Sequence, residues 1–256
     1  MVAVNSTLMR WMNVVAFALT VLVNGLAGST KILGGKLTAE ISDANPTLIT
    51  PAGYVFSIWG VIYILLAIFA VSQALPSQKA KDFQGRVGWL FVLSGLLNIT
   101  WLFLWQFEYL SLSVVVMFLL LATLIAVYMR LNVGKSTVSL RERLAIQLPF
   151  SVYLGWITIA SIANVSVTLV STGWDGFGIS QETWATIIII TALLITLLMI
   201  ATRKDIAYGL VIIWALVGIA VKQSGNQDIV AITETSAIIV AIALAAAILL
   251  TRLKRK

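Results

Sequence analysis

Long apolar runs, broken by short polar and charged breaks, organise this chain. Ile238 to Leu250 contains no polar residue at all, and Ile187 to Ile200 is interrupted only by two threonines. Eight such segments stand out, at roughly 10–29, 52–75, 87–107, 109–131, 145–171, 182–202, 205–222 and 230–251. An α-helix needs about 20 apolar residues to cross a bilayer, and these segments are close to that length. The apolar–polar alternation of a transmembrane β-barrel is missing. The pattern predicts an all-α, polytopic membrane helical bundle of about eight transmembrane helices. The third and fourth segments meet around Phe107 and Glu108, so they form a tight hairpin. The seventh is the shortest, and without it the count falls to seven.

Composition agrees with the pattern. The chain is 60% hydrophobic and 11% charged, where a soluble domain carries roughly 25% charged residues. The net charge of +7 suggests an anionic partner until its placement is considered. Basic residues gather in small clusters at segment ends, the pattern of topology signals rather than of a nucleic-acid footprint. With the N-terminus placed inside, all 17 basic residues except Lys31, Lys36 and Lys222 fall on the cytoplasmic side. Most acids, Glu40, Asp43, Glu108, Asp175, Glu182, Asp228 and Glu234, fall outside. Both termini are therefore expected in the cytoplasm, the lipid bilayer is the first partner, and nucleic acid is not one. The Ala27-Gly28-Ser29 run also resembles a signal-peptide cleavage site. There is no cysteine and no histidine. That removes disulfides, thiolate nucleophiles, imidazole bases and the usual ligands of zinc and haem iron.

The polar residues inside the apolar segments carry the chemistry. Phe56, Trp59 and Tyr63 stand at i, i+3 and i+7 and share a helix face. Asn98, Trp101 and Trp105 repeat that spacing on the third segment. Tyr153, Trp156, Ala160 and Asn164 continue it on the fifth, at i, i+3, i+7 and i+11. In the topology above, all three stripes lie at one depth in the outer half of the bilayer, beneath the long loop from Thr30 to Thr50. Pro51 and Gly53 sit at that mouth, and the loop is long enough to act as a lid. Taken singly, such stripes are ordinary packing surfaces or interfacial anchors. Trp11, Trp89, Trp174 and Trp184 at segment ends are read as anchors, and Asn98 and Asn164 can simply bond between helices. Coincidence at one depth is what raises a ligand pocket to an equal reading. In the last segment, Ala237, Ala241 and Ala245 form a small-residue ridge, fit for the seventh helix or for a second protomer of a homodimer. Glu234 is expected at the outer interface.

Residues 46 to 168 resemble the TspO/translocator protein family of tryptophan-rich sensory proteins. The resemblance is carried by Pro51-Ala-Gly-Tyr-Val-Phe56 with Trp59 and Tyr63, by Leu97-Asn98-Ile-Thr-Trp101, and by Leu148-Pro149-Phe150 with Trp156, Ala160 and Asn164. Ala52 stands where the family has a second proline, and there is an insertion between Pro149 and Trp156. The resemblance implies a five-helix bundle over residues 1–172, and the three helices over 173–256 are an extension that the compact family lacks. It implies an integral protein of the plasma (inner) membrane of a prokaryote. It also implies a pocket for porphyrins, sterols and synthetic ligands closed by the first loop, with Phe56, Trp59, Asn98, Trp101, Trp156, Ala160 and Asn164 as pocket residues. The family's sterol-recognition pattern is not evident in its usual helix. Leu124-Ile-Ala-Val-Tyr128-Met-Arg130 fits the loose consensus, but is read as an interfacial Tyr and Arg.

The leading expectation is a binding protein, sensor or carrier, for a flat hydrophobic small molecule such as a tetrapyrrole, with no cofactor required. A secondary transporter of a small hydrophobic or amphipathic solute is the alternative, although no inverted repeat or charged relay is visible. An enzyme that degrades a tetrapyrrole would lack acid–base groups beside its aromatic rings. A retinal protein would need a mid-helix lysine, and Lys222 lies at a segment end.

Overall fold

A computed structural model describes residues 6–79 and 81–253, and the basic residues Lys254, Arg255 and Lys256 of the C-terminal cluster lie outside them. Among the described residues every regular element is helical. In chain order the elements are α1 (Ser6–Ser29), α2 (Thr38–Ala44), α3 (Ile58–Ala74), α4 (Phe83–Val87), α5 (Leu90–Gln106), α6 (Leu110–Leu131), α7 (Leu140–Glu142), α8 (Leu148–Ser171), α9 (Gln181–Arg203), α10 (Ile206–Lys222) and α11 (Gln227–Leu253). All eight apolar segments are helices. Among the described residues six stretches are long and apolar enough to cross a membrane, and α5 and α10 are shorter apolar helices of 17 residues. At 1.5 Å per residue those two span roughly 26 Å, the lower limit for a hydrocarbon core. The protein is a polytopic helical membrane bundle.

Two helices begin irregularly, each beside a proline. Pro51 and Ala52 are extended, and Gly53–Ser57 form a 3₁₀ turn before α3 takes over at Ile58. Phe56 therefore precedes the α-helix on which Trp59 and Tyr63 sit. At α8, Pro149 has no N–H to offer the carbonyl four residues back. The preceding Arg143–Gln147 turn widens to a π-helix, as chains do where the ladder is interrupted.

Neighbouring helices pack as the short loops demand. α5 lies against α1 and α6, α6 against α8, and α3 against α1 and α8. α1 is an integral part of this packing: Ala27 is fully buried, and Asn24 Nδ2 donates to Asn98 Oδ1 at 2.6 Å. The last three helices join the same body, because α10 packs on α8, and α9 and α11 pack on each other and on α10. One core runs from Ile41 and Phe69 through Trp156 to Tyr208 and Ile219.

Polar joints fix the end opposite α2. The Arg10 guanidinium donates to the Gln73, Ala74 and Leu75 carbonyls at the end of α3. At the α9–α10 turn, the buried Asp205 carboxylate accepts from Tyr128 Oη (2.8 Å), Ser151 Oγ (2.6 Å) and the Tyr208 amide (3.1 Å). Tyr128 is thus a buried joint residue and not the interfacial anchor expected of it, while Arg130 is exposed. Asp205 is a buried acid that sequence reasoning did not single out, while Glu234 lies on the exposed face of α11. Of the alanine ridge on α11, Ala237 is buried, and Ala241 and Ala245 are exposed.

Candidate functional site

The three aromatic stripes meet at the α2 end of the bundle. Trp59 is their hub. Its ring stacks on Tyr63 (centroids 5.6 Å apart, 18° between planes) and lies 6.5 Å from Trp101 at 27°. It meets Tyr153 and Trp156 edge-on, each at 6.1 Å. Phe56 closes on Trp156 edge-to-face at 5.8 Å, and Trp101 leads on to Trp105 at 5.8 Å. Edge-to-face and offset contacts of this kind suit the ring quadrupole and are each worth about 1 kcal/mol beyond area burial.

These rings wall a cavity of about 40 Å³, lined by Thr38, Ser42, Pro51, Phe56, Trp59, Trp101, Trp105, Trp156, Ile159, Ala160, Ala163, Asn164 and Val167. Seven of the ten residues expected at a site, Pro51, Phe56, Trp59, Trp101, Trp156, Ala160 and Asn164, line it. Tyr63, Asn98 and Tyr153 do not. They sit one helical turn further from α2, beneath the Trp59 ring, and Asn98 Nδ2 donates there to Tyr153 Oη at 3.2 Å. Protein groups on other helices occupy both asparagines, the inter-helix bonding that the sequence left open for them. Asn98 accepts from Asn24, and Asn164 Oδ1 accepts from Trp101 Nε1 at 2.8 Å while its Nδ2 donates to Ser113 Oγ at 2.9 Å.

One polar group in the wall is left over. Trp156 is 2% exposed, and among the described residues its indole N–H has no hydrogen-bond partner. A buried donor left unmade costs about 1–3 kcal/mol. Among the described residues it is the one fully buried polar atom of the lining side chains without a partner, and Thr38 and Ser42 add two hydroxyls to the lining.

The loop from Thr30 to Thr50 lies over this cavity, with Thr38 and Ser42 of α2 forming its roof. It is held by the buried Ile41 and Ile49 and by polar bonds at its edge. Gln106 Nε2 donates to the Lys36 and Leu33 carbonyls at 3.0 and 3.3 Å, and Trp105 Nε1 donates to Thr38 O at 3.2 Å. Gly34, at φ +70°, lets the backbone come so close that a Cβ there would stand 2.1 Å from Gln106 O. Ion pairs join Lys31 to Glu40 (2.7 Å), Lys36 to Glu108 (2.5 Å) and Lys222 to Asp43 (2.7 Å), at exposed positions except for the half-buried Lys222. The Lys31 ammonium and the Leu37 amide together hold the Glu40 carboxyl below its ordinary value.

Sequence reasoning missed the roof residues Thr38 and Ser42 and the whole contribution of α10. Trp214 of α10 packs edge-on against Tyr54 at 5.4 Å, and the Ala52 amide donates to Gly218 O at 3.0 Å. Gln223 reaches the Thr47 carbonyl at 3.1 Å. The lone indole in an aliphatic segment was the available signal, since a buried Trp N–H seeks a partner.

No curated protein and no solved structure matches this chain. The family model described as TSPO-like protein matches residues 10–250, from the first turn of α1 to the end of α11 and across all three aromatic stripes. The chain belongs to the TSPO-like protein family.

Proposed function

We propose that the protein is a membrane-embedded binding protein, a sensor or carrier, for a flat hydrophobic ligand such as a porphyrin or another tetrapyrrole. The observation that carries this reading is the unpartnered Trp156 N–H in an aromatic cavity under a polar-hinged loop. Indole and phenyl faces offer stacking area for a flat ring, and the Trp156 N–H offers one directed bond to an acceptor on it. At about 40 Å³ the cavity holds a few waters. Sites for drug-sized ligands run to roughly 300–1,000 Å³. Binding therefore requires the roof to lift and Trp59 or Phe56 to swing aside. The ion pairs at its edge add little to the cost of opening, since exposed pairs contribute about 0–1 kcal/mol each, and the buried Ile41 and Ile49 set more of it. By the positive-inside distribution of Lys and Arg, the roof faces the outer side.

The test is a porphyrin titration of the purified chain, followed by quenching of tryptophan fluorescence. Saturable quenching is expected, with Trp156→Phe weakening binding roughly tenfold through loss of one hydrogen bond while keeping a ring. Unsaturable quenching, or identical affinity in Trp156→Phe and Trp59→Ala, would reject the site.

A further inference from the structure

A second opening in the bundle is larger than the aromatic cavity. At the opposite end an open cleft of about 560 Å³ lies between the starts of α1 and α5, the α3–α5 connection and the end of α6. Its rim carries Lys79, Lys81 and Arg130, and its apolar wall is made by Trp89, Leu90 and Leu93. The three cations are exposed, and among the described residues none has an acidic partner; the nearby Asp82 faces Arg86 at 3.9 Å instead. Three unpaired positive charges around one cleft repel each other, which is tolerable only with an anion between them or free water around them.

The cleft is a built feature and not a gap between loops. Gln84 Nε2 donates to Gln73 O at 2.8 Å and to Gln78 O at 3.3 Å, and Gln73 Nε2 donates to Arg10 O at 2.9 Å. These bonds fix the connection on which Lys79 and Lys81 stand. The apolar wall is continuous with the outside of the bundle. Leu93, Leu96 and Phe103 form an exposed stripe along α5, running from the cleft toward the other end. A soluble anion would use the rim and ignore that stripe. An amphiphile would use both.

We propose that this cleft binds the headgroup of an anionic phospholipid, with phosphate held by Lys79, Lys81 and Arg130 and an acyl chain laid along Trp89, Leu93 and Leu96. Basic pockets at the ends of transmembrane helices suit such headgroups. The level is right, because Lys79 and Lys81 stand on the connection that follows α3, and Arg130 stands in the last turn of α6. This site is independent of the aromatic cavity and stands if the porphyrin reading fails.

The experiment uses the full chain in neutral detergent, doped with phosphatidylglycerol, with phosphatidylcholine of the same chains, or with inorganic phosphate. Lipid retention is read by native mass spectrometry, and the fold by circular dichroism. Phosphatidylglycerol is expected to be retained at low ratio and phosphatidylcholine is not. K79Q/K81Q/R130Q should weaken retention about 100-fold, at roughly fivefold per surface cation. K135Q/R141Q/R143Q, exposed at the same end, should leave it unchanged. Gly85 has open space where a Cβ would stand, so Gly85→Leu fills the cleft with its charges intact and should also reduce retention. Should the first triple variant fail to fold, Gly85→Leu decides alone. Equal retention of the two lipids, equal loss in the two triple variants, no effect of Gly85→Leu, or displacement by equimolar inorganic phosphate would overturn the proposal; the last would assign the site to free phosphate.

Discussion

The indole N–H of Trp214, in α10, donates to the carbonyl oxygen of Val55 at 3.1 Å. Val55 belongs to the 3₁₀ turn that carries Phe56 into the aromatic cavity, so the C-terminal helices hold the mouth of the site. The same contact is tightened at Gly218, where an added Cβ would lie 2.1 Å from Val55 Cγ2 and 3.2 Å from Pro51 Cβ. Gly218→Val should therefore push the 51–57 turn off α10 and cost about 1–3 kcal/mol of stability. Porphyrin affinity should change with it. Unaltered thermal unfolding and affinity in Gly218→Val would show that α10 does not set this turn.

Trp101 and Asn164 form a buried cross-helix pair with Ser113 as a third member. Asn164→Leu strands the Trp101 N–H, while the Ser113 hydroxyl keeps its bond to the Leu110 carbonyl, and should cost about 2 kcal/mol. Adding Trp101→Phe should recover part of that loss, because the stranded donor is gone. A double-mutant cycle by thermal unfolding measures the coupling. Strict additivity would contradict the pairing.

Asp205 anchors α10 by capping its first turn and accepting from two other helices. Asp205→Ala removes a cap and leaves the Tyr128 and Ser151 hydroxyls unpaired, with an expected loss of about 3 kcal/mol. Tyr128→Phe removes one bond and should cost about 1 kcal/mol. Similar melting of the two variants would mean that Asp205 is not the centre of the joint.

Glu40 ties the roof helix to Lys31 and to the Leu37 amide. Its folded-state value is depressed, so its contribution is complete above the ordinary carboxylate value of about 4.3 and is lost as pH falls through the lower folded value. Hydrogen exchange of the Thr38–Ala44 amides should therefore speed up in acid, once corrected for intrinsic rates. Glu40→Gln should exchange faster already at pH 7 and show no such step. An acid response that persists unchanged in Glu40→Gln would place the titrating group elsewhere.

Much of this molecule is legible in its sequence, for reasons tied to particular residues. The eight apolar segments announce themselves by length, because a bilayer leaves the backbone no choice but to bond within a helix. Phe56, Trp59, Trp101, Trp156, Ala160 and Asn164 are readable because helical spacing puts them on faces that topology then brings to one depth. Contacts between distant segments leave no such periodic mark. Asp205 follows Arg203 and Lys204 and reads as a loop acid, although the structure buries it under Tyr128. Trp214 is one aromatic ring in an aliphatic run, and nothing local points it at Val55. The small volume at the centre of the aromatic cluster is likewise a property of packing, since stripes specify which rings meet but not how tightly they close.

A structure determined with a porphyrin bound tests the central claim most directly. The account predicts the macrocycle between Trp59, Trp101 and Trp156, an acceptor atom within hydrogen-bond reach of Trp156 Nε1, and the α2 roof displaced to enlarge the present space of about 40 Å³. Density elsewhere on the bundle, with these rings still packed against one another, would contradict it.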